Sequence, residues 1–240
     1  MVYQDIGQHI SHQFDEDLES LRSKMLNMGG MVEKQVENAL LALTTSDSSL
    51  AEEVATSDYK INSMEIAIDE ECTQVIARRQ PTASDLRLVV TVIKAITDLE
   101  RIGDEAEKIG RHVVKLVTVE RTPSYFIEIK HMGEKVRKML HDSLDAFARM
   151  DTEAALAIAQ GDREINDEYD ALVRQLITHM TEDPRAIKRA LRVMWCARSL
   201  ERIGDHAKNI CEYVIYTVVG TDVRHTSFEQ VKNELSDTDK

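Results

Sequence analysis

A chain of 240 residues that is 42% hydrophobic can bury one or two substantial cores, which excludes disorder throughout. Its formal net charge of −13 repels phosphate backbones and anionic lipid, so direct nucleic-acid binding and attachment to bare membrane are disfavoured, and cations or basic protein surfaces are favoured as partners. Only three prolines and nine glycines stand among many Ala, Leu, Glu, Lys, Arg and Met, side chains that lose little rotamer freedom in a helix, so the expected class is all-α.

The first residues, MVYQDIGQHISHQF, lack the basic and apolar regions of a signal peptide, and no apolar run reaches the roughly 20 residues that span a bilayer. Residues 1–14 and 221–240 have little periodicity and are expected to be loosely ordered; His9 and His12 are read as incidental there. A first helix is expected over 15–44, carrying MGGMVE at 28–33. A second, over 48–78, has an apolar seam of Val54, Ile61, Met64, Ile68 and Val75, flanked by a polar stripe of Asp58, Asn62, Glu65 and Asp69. The turn ARRQPTASD follows, with Ser84 as a cap for a third helix over 84–118.

That third helix keeps an unbroken 4-3 spacing through Val89, Val92, Ile96, Leu99, Gly103, Ala106, Gly110, Val113 and Val117, the seam of an antiparallel bundle. Gly103 sits on the seam inside ERIGDEAEKI, where a missing side chain permits close approach. After a joint at Thr122-Pro123-Ser124 the chain repeats itself. MGGMVEKQVENALLALTTSD at 28–47 aligns with MGEKVRKMLHDSLDAFARMD at 132–151, an offset of 104, while ERIGDEAEKI and ERIGDHAKNI are offset by 101. The three missing residues fall in the second turn, THMTEDPR, where Asp183 and Pro184 form a helix start.

Helices over 124–149, 152–180 and 184–219 complete a tandem repeat of two antiparallel three-helix bundles, one over 15–119 and one over 124–220. The last helix repeats the seam at Ala190, Val193, Ala197, Leu200, Gly204, Ala207, Cys211, Val214 and Val218.

Glu100 and Asp104 lie one helical turn apart on one flank, as do Glu201 and Asp205. If the first hairpin folds about position 81, Glu100 faces Asn62 and Asp104 faces Asp58. Folding the second about 182 brings Glu201 and Asp205 near Asp162, a few residues short of Asn166. Converging carboxylates repel unless a positive group sits between them, and an all-oxygen set suits magnesium, manganese or iron. The plain alternative is a solvated helix face with an Asp104–Lys108 pair, but Asn209 stands at the Lys108 position in the second copy, so that pair cannot explain both.

Arg101 and Arg202 follow the acids and point away from the groove, where each is either a surface residue, with an intrahelical Arg101–Glu105 pair, or a docking contact for a partner. Glu128 and His131 form one ExxH, half of a di-iron motif that uses two copies in a bundle core. Cys72, Cys196 and Cys211 form no CxxC pair and fit a reducing cytoplasm as free thiols, the latter two in apolar helical surroundings. Nothing resembles a phosphate-binding glycine loop, a nucleophile elbow or an HExxH site, so no enzyme activity is expected.

The twin ERIGD phrases, RRQPTASDLR at 78–87, MGGMVE at 28–33 and FARMD at 147–151 together resemble the PhoU family in its gamma-proteobacterial form, over nearly the whole chain. The resemblance implies a homodimeric cytoplasmic regulator that is peripheral to the inner membrane through its partners. These would be the phosphate ABC transporter, through its ATPase subunit PstB, and the sensor histidine kinase PhoR. It implies repression of the phosphate-starvation response when phosphate is plentiful. The family's E(D)xxxD metal motif falls on Glu100 with Asp104 and on Glu201 with Asp205; Asp58 and Asp162 follow as further ligands, with the amides of Asn62 and Asn166 as weaker ones. Two rivals stay open: a ferritin-type di-metal enzyme and a helical scaffold that needs no metal.

Overall fold

Aspartates open three of the helices. Asp47 accepts hydrogen bonds from the amides of Ser49 and Leu50, both at 3.0 Å, and its counterpart Asp151 accepts from Ala154 at 2.9 Å. Asp183 accepts from Arg185 at 3.0 Å and leads through a single 3₁₀ turn at Pro184–Ala186 into the final helix. The computed structural model describes residues 12–116 and 125–223. Its helices are α1 (His12–Thr45), α2 (Ser48–Ser57), α3 (Tyr59–Arg79), α4 (Ala83–Leu116), α5 (Tyr125–Arg149), α6 (Thr152–Glu182) and α7 (Ile187–Val219). Among the described residues there is no strand, and no helix is long and apolar enough to cross a membrane.

The all-α expectation therefore holds, with three differences of detail. The single helix expected over 48–78 is interrupted at Asp58, although that residue keeps helical angles of φ −60° and ψ −29°. Its counterpart, Asp162, lies within the continuous α6. Ser84 does not cap α4, which starts one residue earlier at Ala83. Residues 12–14 and 221–223, read as loose, include the buried Phe14 on α1 and the buried Val223 beyond α7; the remaining terminal residues and the Thr122-Pro123-Ser124 joint lie outside the described residues.

α1, the broken pair α2/α3 and α4 form one three-helix bundle, and α5, α6 and α7 form the other. The expected seams are buried along most of their length: Val89, Val92, Ile96, Leu99, Ala106 and Val113 in α4, and Val193, Ala197, Leu200, Ala207 and Val214 in α7, are all at most 1% exposed, while Val218 is half-buried and Val117 lies outside the described residues. The bundles meet along α4 and α7 and along α1 and α5. At the α1–α5 crossing Gly29 seats Leu144 and, by internal symmetry, Gly133 seats Leu40.

Gly110 brings two backbones together. A Cβ there would lie 2.8 Å from the Ala51 carbonyl oxygen and 3.1 Å from the Ala55 nitrogen, whereas one on Gly30 would meet nothing within 4 Å. Gly110→Ala must push α2 off α4, and a loss of about 1–3 kcal/mol is expected. Gly30→Ala, in the middle of exposed helix, is expected to stabilise by roughly 0.5–1 kcal/mol. Urea unfolding of the two variants beside the parent protein checks the opposite signs.

Candidate metal centre

Glu100, Asp104 and Glu107 follow one another at spacings of four and three on α4, which puts them on a single flank. Asp58 is held opposite by the α2–α3 junction, and one carboxylate oxygen from each of Asp58, Asp104 and Glu107 lies within 4.8 Å of the others. Asp58 is only 5% exposed. It reaches this depth because α4 has no side chain at Gly103, where a Cβ would stand 2.8 Å from Asp58 Oδ1 and 3.0 Å from Ile61 Cδ1. The glycine on the seam thus makes room for a carboxylate and an isoleucine.

The cluster is electrostatically uncomfortable. Burial first, then the charge of Asp104, pushes the Asp58 carboxyl above the usual aspartate range, with the amides of Asn62 and Gln35 offsetting part of the push. Glu100 is raised by burial, then by Asp104, Glu65 and Asp58. Asp58 Oδ1, Asn62 Oδ1 and both amide atoms of Gln35 are buried without a hydrogen bond of ordinary length, and Gln35 itself is 6% exposed. Buried polar atoms left this way are uncommon in native proteins and mark a place where a further group belongs. Oxygen donors, unsatisfied lone pairs and like charges suit a hard or borderline divalent cation. Asp69, at the end of the stripe, is exposed.

The second unit reproduces the backbone arrangement. A Cβ on Gly204 would meet Ile165 Cδ1 at 3.3 Å and Asp162 Oδ1 at 3.7 Å, the counterparts of what Gly103 meets. The register is three residues further along α6 than a fold about 182 implies, because the turn at Pro184–Ala186 lengthens the connection before α7. Burial raises Glu201 and Asp205 above the usual carboxylate range, helped by Asp205 and Asp162 respectively. Here, however, cations are already present. Lys208 Nζ lies 3.2 Å from Asp162 Oδ2, which also accepts from Asn166 Nδ2 at 3.2 Å, and Arg198 is bonded to Glu201 at 2.6 Å. Asp162 Oδ1, Asn166 Oδ1 and Glu201 Oε2 remain buried without partners.

Sequence reasoning passed over Glu107 and Gln35, and it missed the polar seam between the bundles. Asp98 and Glu105, each 2% exposed, lie on the far side of α4. Asp98 bonds to His206 at 2.7 Å, to the Tyr213 hydroxyl at 2.8 Å and to Asn209 at 3.2 Å. Glu105 accepts from the Ser199 hydroxyl at 2.8 Å and pairs with Arg202 at 2.8 Å and Lys108 at 3.0 Å. Arg202 thus spans the seam, Glu105 pairs with it rather than with Arg101, and Arg101 is exposed. A heptad row of polar residues, Thr91, Asp98, Glu105 and His112, was the available signal. His131 pairs at the surface with Glu168 rather than facing a bundle core. The three cysteines are buried, each thiol pushed up to about 12 by that burial, so they are unreactive.

A PhoU domain model matches residues 25–113 and again 129–214. The chain belongs to the PhoU family. It is 52% identical over 235 residues to the phosphate-specific transport system accessory protein PhoU homolog of Pseudomonas putida, covering 98% of this chain and 92% of that protein. It is 46% identical over 238 residues to phosphate-specific transport system accessory protein PhoU of Escherichia coli strain K12, covering 98% of each. The crystal structure of PhoU from Pseudomonas aeruginosa superposes with a TM-score of 0.85 at 52% identity, covering 87% of this chain and all of that one.

For this PhoU-family chain the first groove yields a prediction with two signs. A carboxylate raised in the folded state is favoured at low pH, and that advantage is lost as pH climbs through the raised value, so ionised Asp58 burdens the metal-free fold at neutral pH. In chelator, Asp58→Asn is expected to raise the melting temperature by roughly 2–4 °C, the shift that ~1 kcal/mol gives a chain of this size. The gain should shrink as pH falls into the ordinary carboxylate range. With manganese added the parent should overtake the variant. Scanning calorimetry at two pH values, with and without the metal, checks all three.

Proposed function

We propose that this chain serves the phosphate transport system as an accessory regulator, the role named for its relatives, and that it acts by binding rather than by catalysis. In finer terms, it is a negative regulator of phosphate uptake and of the phosphate-starvation response. It docks on the transporter's ATPase subunit PstB and on the sensor kinase PhoR, as a homodimer held at the inner membrane by those partners. The observation that carries this is an acid-bearing helical phrase written twice on a rigid all-helical frame of this family. The described residues present acids and structural cations in that phrase, not a nucleophile with its base. An inhibitor of this kind works only by differing in affinity for its partner's signalling states.

Asp58, Asp104 and Glu107 would hold a divalent cation in the first groove, with Glu100 and Asn62 beside it. The ion would neutralise repelling charge and tie α4 to the α2–α3 junction. In the second groove Asp162, Asn166, Glu201 and Asp205 stand at the equivalent positions, but Lys208 and Arg198 are already paired there with Asp162 and Glu201. Arg101 on the exposed face is offered to a partner, and Arg202, paired with Glu105, lies beside it in the repeat. A ferritin-type enzyme is disfavoured because the one ExxH histidine turns to Glu168 at the surface.

Affinity capture with the tagged chain, using purified PstB and PhoR at high and low phosphate, is the direct test. Retention of both, changing with phosphate, is expected, and deletion of the gene should switch on a phosphate-starvation reporter in rich phosphate. Retention of neither partner in either condition refutes the docking role.

A further inference from the structure

The two grooves share a backbone but differ in charge. The 101-residue offset between the ERIGD copies places Lys208 at the position of Glu107 and Arg198 at the position of Thr97. The 104-residue offset places Tyr169 at the position of Glu65. Two carboxylates of the first groove are thus replaced by an ammonium and a phenol, and a guanidinium is added. All three substitutes are engaged: Lys208 sits on Asp162, Arg198 is bonded to Glu201, and Arg198 also lies over the Tyr169 ring, 5.8 Å from its centre.

In the first groove the nearest cation on the cluster is Arg111, which pairs with Glu107 from the rim with a side chain 61% exposed. Arg101 acts on Glu100 only as the last and smallest of the influences on it. Three carboxylates there share a space 4.8 Å across, an arrangement the described residues show nowhere else.

Resting on the metal reading above, we propose that the two acidic grooves have divided roles: the first takes a divalent cation, and in the second Lys208 and Arg198 stand permanently where a cation would otherwise sit. A built-in ammonium is tethered to the chain and needs no free metal, so the second groove is a fixed structural ion-pair cluster. A cation would have to displace Lys208 from Asp162 and then share the space with it. The chain then responds to metal through one unit only.

Calorimetric titration of chelator-stripped protein with manganese alone tests this. Binding by the parent should be weakened about tenfold or more by Asp104→Asn, and as strongly by Glu107→Lys, which gives the first groove the second groove's residue. Asp205→Asn should leave it unchanged. The double variant Arg198→Thr/Lys208→Glu, which copies the first groove into the second, should add a binding event that Asp205→Asn then removes. Circular dichroism on each variant confirms that it is folded. If Asp104→Asn and Asp205→Asn each remove part of the parent's binding, the division of roles is overturned while the metal reading stands. A parent that binds no manganese overturns both.

Discussion

Everything in this molecule is arranged around α4 and α7, which run antiparallel to each other while each also forms the inner wall of its own bundle. A helix buried on two faces presents a problem of register, because apolar surfaces slide past one another at little cost. The seam solves it with directional bonds: Asp98 receives His206, Tyr213 and Asn209, and seven residues along α4 Glu105 receives Ser199 and pairs with Arg202. The two clusters are images of each other, since position 98 corresponds to 199 and 105 to 206. Slipping the seam by one turn would strip a nearly fully buried carboxylate of several partners, which is far costlier than losing a surface pair. Thr91 and Thr217 extend the same set with a bond of 2.8 Å.

Once α4 and α7 are locked, each carries its acids on the flank turned toward its own second helix, so duplication delivers two equivalent grooves without further instruction. What evolved separately is the charge inside them. The glycines at 103 and 204 were kept, and with them the space for Asp58 and Asp162; the residues around those carboxylates were free to change. Conserved space with divergent charge is what a repeat protein can explore cheaply, since the exchanges at 107/208 and 97/198 leave the apolar seams untouched.

The helices, the repeat and the facing of Asp58 by Asp104 were legible because periodicity and offset report on backbone and seam. The depth of Asp58 was not, because it depends on Gly103 and on the break between α2 and α3, and neither changes the hydrophobic pattern. Glu107 was hidden by the method that found its neighbours: aligning the two copies highlights what they share, and Lys208 stands opposite Glu107. Gln35 escaped for another reason. It sits in the apolar rhythm of α1, where one polar residue reads as noise until the structure shows it buried behind the carboxylates without a hydrogen bond of ordinary length. The register of the second hairpin was off by three because one 3₁₀ turn after Asp183 cannot be counted from spacing alone.

The grooves also show how a fold can hold like charges together. Two ionised carboxylates 4.8 Å apart repel by roughly 3 kcal/mol at the effective dielectric of a protein surface, a sizeable part of a domain's stability. Three remedies exist: a proton, an internal cation or a bound ion. The second groove uses the internal cation, and Lys208 and Arg198 hold down the pull of burial and repulsion on Asp205 and Glu201. Among the described residues the first groove has no comparable group within it, and the carboxyls of Asp58 and Glu100 are raised, by burial first and then by neighbouring acids. The unbalanced charge lies against the α2–α3 junction, where the helical ladder is interrupted, whereas α6 runs unbroken past the balanced one. The helical break thus lies beside the groove whose acids meet a cation at the rim, through Arg111, and the unbroken helix beside the groove whose acids are paired from within by Lys208 and Arg198.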